Sequence, residues 1–140
     1  MAKGLKTLIR LSEWTVDEKR RELGVKLDAL ATLEDALDAL GKELLREQAL
    51  AASSPQEAGL YYGNYADQVI TRREQLHDEI ADMEKQVSKA RDELNEAYRD
   101  LKKYEVAEET RIERETRERD RKDQILLDDL AIQNHNPPTE

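Results

Sequence analysis

The chain has 140 residues, of which 39% are charged, 38% hydrophobic and only 4% aromatic, and its net charge is −9. It is too polar for a thick core, yet too regularly supplied with Leu, Ile and Val for disorder, so a thin apolar seam between long helices fits best. Absent Cys removes disulfides, thiolate metal sites and a Cys nucleophile, five Gly and three Pro are too few for a turn-rich all-β domain, and the acidic balance opposes charge-driven binding to nucleic acid or acidic lipid.

The first element is predicted over about residues 3–52. Ile9, Val16, Leu23, Leu30, Leu37 and Leu44 recur every seven residues, and Leu27, Leu33 and Leu40 fill the positions between them. The mean step is about 3.5 residues, the spacing of a coiled coil. The N-terminal Met1–Lys6 is mildly basic but leads into no long apolar stretch, so no signal peptide is evident and a cytoplasmic protein is expected. Beside the seam, Leu8, Leu11 and Trp14 form a second stripe, expected to pack against the other helix.

A turn is predicted over about residues 53–60. Ser54 has the chemistry of an N-cap, Pro55 suits the first helical position and Glu57 completes a capping box. Tyr61, Tyr62 and Tyr65 follow at once. Tyr62 continues the coming seam and reads as core. Tyr61 and Tyr65 lie off it and are candidate partner contacts.

The second helix is predicted over about 61–132. Val69, Leu76, Met83, Ala90, Ala97 and Tyr104 step by seven, with Ile80, Val87, Leu94 and Leu101 between them. Ala90 and Ala97 are small enough for close approach. After Tyr104 the seam gives way to charge, with 14 charged residues among the 20 from Glu105 to Gln124. Opposite charges three or four apart, such as Glu113–Arg117 and Glu115–Arg119, support a solvated single helix by about 0.2–0.5 kcal/mol a pair. Ile125, Leu126, Leu127, Leu130 and Ile132 form a late apolar group, of which Leu126, Leu127 and Leu130 are candidate partner contacts. Residues 134–140, with Pro137 and Pro138, read as a disordered tail.

Two seams joined by one short break predict an all-α protein, a long antiparallel two-helix coiled-coil hairpin forming a single domain over 1–140. The first helix is roughly 70 Å long and the second roughly 110 Å at 1.5 Å per residue. Leu5 then faces a residue near 102–109, and the charged C-terminal part of the second helix overhangs.

No catalytic constellation is evident. His77 and His135 are far apart, no Glu-x-x-His pair occurs, and the glycines form no phosphate-binding loop. No metal, cofactor, small-molecule substrate or nucleic acid is expected, and no enzymatic activity. Basic clusters such as Lys19-Arg20-Arg21 and Arg117 to Lys122 read as solvated faces. On these residues alone, a structural spacer and a holdase gripping clients with its tyrosines both stay open.

Leu5-Lys-Thr-Leu8 with Leu11-Ser-Glu, the Leu60-Tyr61-Tyr62-x-x-Tyr65 block, Leu101-Lys102-Lys103-Tyr104-Glu105 and the Leu127-Asp128-x-Leu130-Ala131 ending resemble the FliJ family of flagellar export components, relatives of the type III secretion stalk proteins. The resemblance covers almost the whole chain. It implies an antiparallel coiled coil seated in the pore of the hexameric flagellar export ATPase, coupled to the membrane export gate and binding export chaperones. It also implies a location at the inner-membrane base of the flagellum. Of the family's apolar gate-binding positions Leu40 is the match, while Glu43 and Glu47 stand where aromatic residues can occur.

Overall fold

In the computed structural model, the described residues are 2–53 and 55–135, with side chains described over 3–53 and 61–134. They form two helices, α1 (Ala2–Ser53) and α2 (Pro55–His135), and no strand. The two long helices pack against each other, as the seams require. Two bounds differ from expectation. The turn predicted over 53–60 is far shorter, because α2 already starts at Pro55. Proline has no N–H to leave unsatisfied in a first turn and its φ is preset for a helix. Gly63 adds no break, since no described glycine takes a positive φ. At the other end α2 continues past Ile132 to His135. The proposed cap on Ser54 and Glu57 and the tail from Asn136 onward lie outside what is described.

The chain groups into two compact units, Thr15–Ala97 and Met1–Trp14 with Tyr98–Glu140. In the larger unit the core is a single line of side chains. Val16, Val69, Leu76, Val87, Ala90 and Ala97 are buried, and Leu76 is only 1% exposed. Leu23, Leu30, Leu33, Leu37, Leu40 and Leu44 on α1 and Ile80, Met83 and Leu94 on α2 are half-buried, as expected where two helices share one face and no third layer covers them. Leu27 is the exception, at 37% exposed.

Polar side chains flanking the seam show the direction of pairing. Lys19 Nζ donates to Glu93 Oε2 at 3.4 Å, and Lys26 Nζ donates to Gln86 Oε1 at 3.0 Å. A seven-residue advance on α1 is matched by a seven-residue retreat on α2, so the helices run antiparallel with no slip between these two levels. The hydrogen bond to Glu93, followed by that to Glu22, raises the Lys19 ammonium above its usual pKa.

In the smaller unit, Leu5 and Ile9 of α1 are half-buried and Ser12 is buried, while Leu101 and Tyr104 of α2 are half-buried. Leu8, Leu11 and Trp14 do not pack as expected: they are 43%, 58% and 61% exposed. They lie off the line through Leu5, Ile9 and Ser12, and a two-helix pair covers only that line.

Truncating Leu76 to Ala is expected to cost about 2–5 kcal/mol, because the cavity lies at the most enclosed point of the seam. Leu45→Ala, at a position 66% exposed, is expected to stay within about 0.5 kcal/mol. Urea unfolding followed by helical circular dichroism compares the two.

Candidate partner-binding surfaces

The six candidate contacts fall in three settings. Leu40 is half-buried in the seam of the larger unit. Tyr61 and Tyr65, one turn apart at the start of α2, stack with ring centroids 6.4 Å apart and planes 15° apart. Tyr61 is 64% exposed, whereas Tyr65 is half-buried. The Tyr65 hydroxyl is sealed from solvent and, among the described residues, has no hydrogen-bond partner at bonding geometry. Its pKa is raised, first by loss of solvent and then by the nearby negative charge of Glu43, with Glu47 adding to it. Tyr62 is half-buried, in keeping with its place on the seam line.

Leu126, Leu127 and Leu130 sit in the smaller unit at 60%, 60% and 48% exposed, accompanied by Ile125 at 48% and Ile132 at 60%. From Ile112 to Asn134 every residue is exposed, though the helix continues without interruption. Leu126, Leu127 and Leu130 lie at i, i+1 and i+4 and so share one side of the helix.

The transition into this exposed stretch rests on Glu108, Arg111 and Glu115, a trio that the expected pairing of Glu115 with Arg119 left out. Glu108 stands seven residues after Leu101, Arg111 seven after Tyr104 and Glu115 seven after Glu108, so all three continue the seam line of α2. Arg111 Nε and Nη2 donate to the two carboxylate oxygens of Glu108 at 3.1 and 2.7 Å, and its Nη1 donates to Glu115 at 2.7 Å. The forked guanidinium suits this bidentate contact, the strong form of a charged hydrogen bond. The side chains of Glu108 and Arg111 are only 14% and 24% exposed. The hydrogen bonds from Arg111 outweigh the partial loss of solvent and hold the Glu108 carboxyl below its usual range, and Lys6 of α1 lowers it further. The proximity of Lys6 to Glu108 agrees with the register expected for Leu5. Extending the heptad count three steps beyond Tyr104 was the signal available in the sequence.

The expected pairs Glu113–Arg117 and Glu115–Arg119 do not form. Among the described residues of this stretch the pairs are Glu108–Arg111–Glu115 and Glu118–Arg121. Glu115 is already held by Arg111, and exposed pairs such as Glu113–Arg117 gain too little to immobilise two long side chains. Among the described residues no three His, Cys, Asp or Glu are grouped to hold a metal ion, and no helix is long and apolar enough to cross a membrane.

A family model described as Flagellar FliJ protein matches residues 1–139. The chain belongs to the FliJ family. Two proteins named Flagellar FliJ protein, from the Caulobacter vibrioides strains NA1000 / CB15N and ATCC 19089 / CIP 103742 / CB 15, are each 32% identical to it over 113 residues, covering 80% of this chain and 81% of theirs. No solved structure matches the chain. FliJ membership makes the protein a flagellar export component.

The depressed Glu108 carboxyl contributes stability that is fully present above its ordinary value of 4.5 and is lost as pH falls through the lower folded-state value. The protection of the amides over residues 3–12 against hydrogen exchange, relative to the intrinsic rate at each pH, is expected to fall through this acid range. In Glu108→Gln, that protection is expected to be lower already at pH 7 and to change less on acidification.

Proposed function

We propose that this protein is the cytoplasmic stalk of the flagellar type III export apparatus. It carries out no chemistry of its own. The end bearing α2 beyond Arg111, with Leu126, Leu127 and Leu130 as partner contacts, enters the pore of the hexameric export ATPase, the region around Leu40, Tyr61 and Tyr65 meets the membrane export gate, and the protein also binds export chaperones. The protein works peripherally, at the inner-membrane base of the flagellum.

The observation that carries this reading is the uninterrupted helix from Ile112 to Asn134, exposed at every residue, in a chain of the FliJ family. A helix that protrudes without a partner of its own and is laced with charges of both signs stays hydrated. Its isolated ion pairs are weak and exchange easily. Such a surface can turn or shift within a ring without locking into one register. The tip has a different character. An exposed Tyr61 stacked on Tyr65 offers a stiff aromatic surface at low entropic cost, the kind of anchor that dominates protein contacts.

Full-length protein is expected to raise turnover by the export ATPase of its own organism. A chain ending at Glu115, which keeps the Glu108–Arg111–Glu115 pairs, is expected to lose most of that stimulation; equal stimulation by both would reject a role for the extension. For the other end, Tyr61→Ser is expected to weaken capture of the gate protein's cytoplasmic domain several-fold with thermal unfolding unchanged. Unaltered capture would remove the tip from the reading.

A further inference from the structure

The charges on α2 from Arg99 into the extension are not evenly mixed around the helix. At about 100° per residue, Arg99, Lys103, Arg114, Arg117 and Arg121 fall within an arc of about 60°. Thr110 is the one other residue on that arc between Arg99 and Arg121, and no carboxylate falls on it from Ala97 to Leu127. The arc lies about 130° around the helix from the centre of the seam formed by Ala97, Leu101, Tyr104, Glu108 and Arg111, and thus on the side of α2 turned away from the seam. All five residues are exposed. The line they form is roughly 33 Å long at 1.5 Å per residue. Among the described residues, the side chains of Arg99, Lys103, Arg114 and Arg117 take part in no ion pair, whereas Arg121 is held by Glu118 at 2.8 Å. Four uncommitted cations aligned on one side run against the grain of a chain whose net charge is −9.

We propose that this basic ridge is a docking surface for an acidic protein face, a strip of Asp and Glu side chains long enough to run beside α2 for about 30 Å. The inference rests on the reading that the extension enters the ATPase ring, and it specifies the chemistry of the ring surface it meets. Complementary charge of this kind steers encounter and sets orientation. The ridge's borders select a protein over a broad polyanion. Asp100 and Glu118 flank the arc on one side and Glu113 on the other. A phosphate-rich membrane or nucleic acid pressed against the ridge also meets those carboxylates and is repelled, while a narrow acidic strip fits between them. Because the cations are solvated, the contact weakens as salt rises.

The test uses the full-length chain and the purified export ATPase, with affinity measured across a salt series. The double substitution Arg114→Glu with Arg117→Glu is expected to weaken binding at least about tenfold and to flatten its salt dependence. Arg119→Glu with Lys122→Glu makes the same change in net charge on other sides of the same helix and is expected to stay within about twofold. Circular dichroism checks that both variants keep their helix, and Arg114→Gln with Arg117→Gln, expected to give an intermediate loss, replaces the reversal if it does not fold. Equal losses from the ridge and control pairs overturn the proposal. So does a ridge variant that binds the ATPase normally but no longer binds phosphatidylglycerol vesicles, since that assigns the ridge to a membrane. If the unaltered chain itself fails to bind the ATPase, the stalk reading falls and takes this inference with it, a result distinct from normal binding by the ridge variant.

Discussion

The burial of one narrow apolar line per helix is the interaction on which everything else depends. No third layer contributes a core among the described residues, so the pairing energy of the larger unit comes from side chains such as Val16, Val69, Leu76 and Val87, and that of the smaller unit from Leu5, Ile9, Leu101 and Tyr104, buried or half-buried along that line. Ala90 and Ala97 are buried in the line, where a side chain this small permits close approach of a partner helix. Two polar ties, Lys19–Glu93 and Lys26–Gln86, sit beside the line and favour one register over a slip by a heptad. Their own energy is small, since both are partly solvated. Their value is in specifying which of several similar apolar registers forms.

A seam of this kind needs a defined end. If the apolar repeat of α2 continued past Tyr104 at full strength, the protruding helix would carry a sticky edge and recruit another copy. The chain instead places Glu108, Arg111 and Glu115 on the same line and satisfies them along the helix itself, with a guanidinium clasped between two carboxylates. The seam positions remain occupied and partly shielded, but they have nothing apolar to offer a second helix. The same three residues support the helix through the point where its partner stops.

Beyond that point the residues proposed for recognition are exposed ones. Leu126, Leu127 and Leu130, like Tyr61 near the start of α2 and the arginines of the ridge, are supernumerary to the fold. Residues with no packing role, placed on a helix whose geometry is otherwise set, can be arranged for recognition at little cost in stability. Mixed sign around the helix and single sign along one stripe serve different ends. The first keeps the extension hydrated, while the second gives it a preferred side.

Most of the architecture was legible because heptad spacing is a direct record of which side chains face a partner. Seven-residue recurrence from Val69 to Tyr104 left little freedom in where the core lies, and the Ser53–Ser54–Pro55 break set where one helix yields to the next. Membership of the FliJ family was likewise written in local blocks, because the tip tyrosines and the Leu-Lys-Lys-Tyr-Glu run are contiguous in the chain. Other features depended on three dimensions. Whether Leu8, Leu11 and Trp14 are covered depends on how wide a strip the second helix can shield, and that strip proved too narrow. The choice of Glu115 as a partner for Arg111, over the equally spaced Glu113–Arg117, followed from an Arg111 side chain already clasped by Glu108 and partly shielded, which no pattern of spacings contains. Periodicity therefore determined the helices, their seam and their family, while the folded pairing alone decided which charges are enclosed and which apolar residues stay in water, because burial is a property of neighbours distant in sequence.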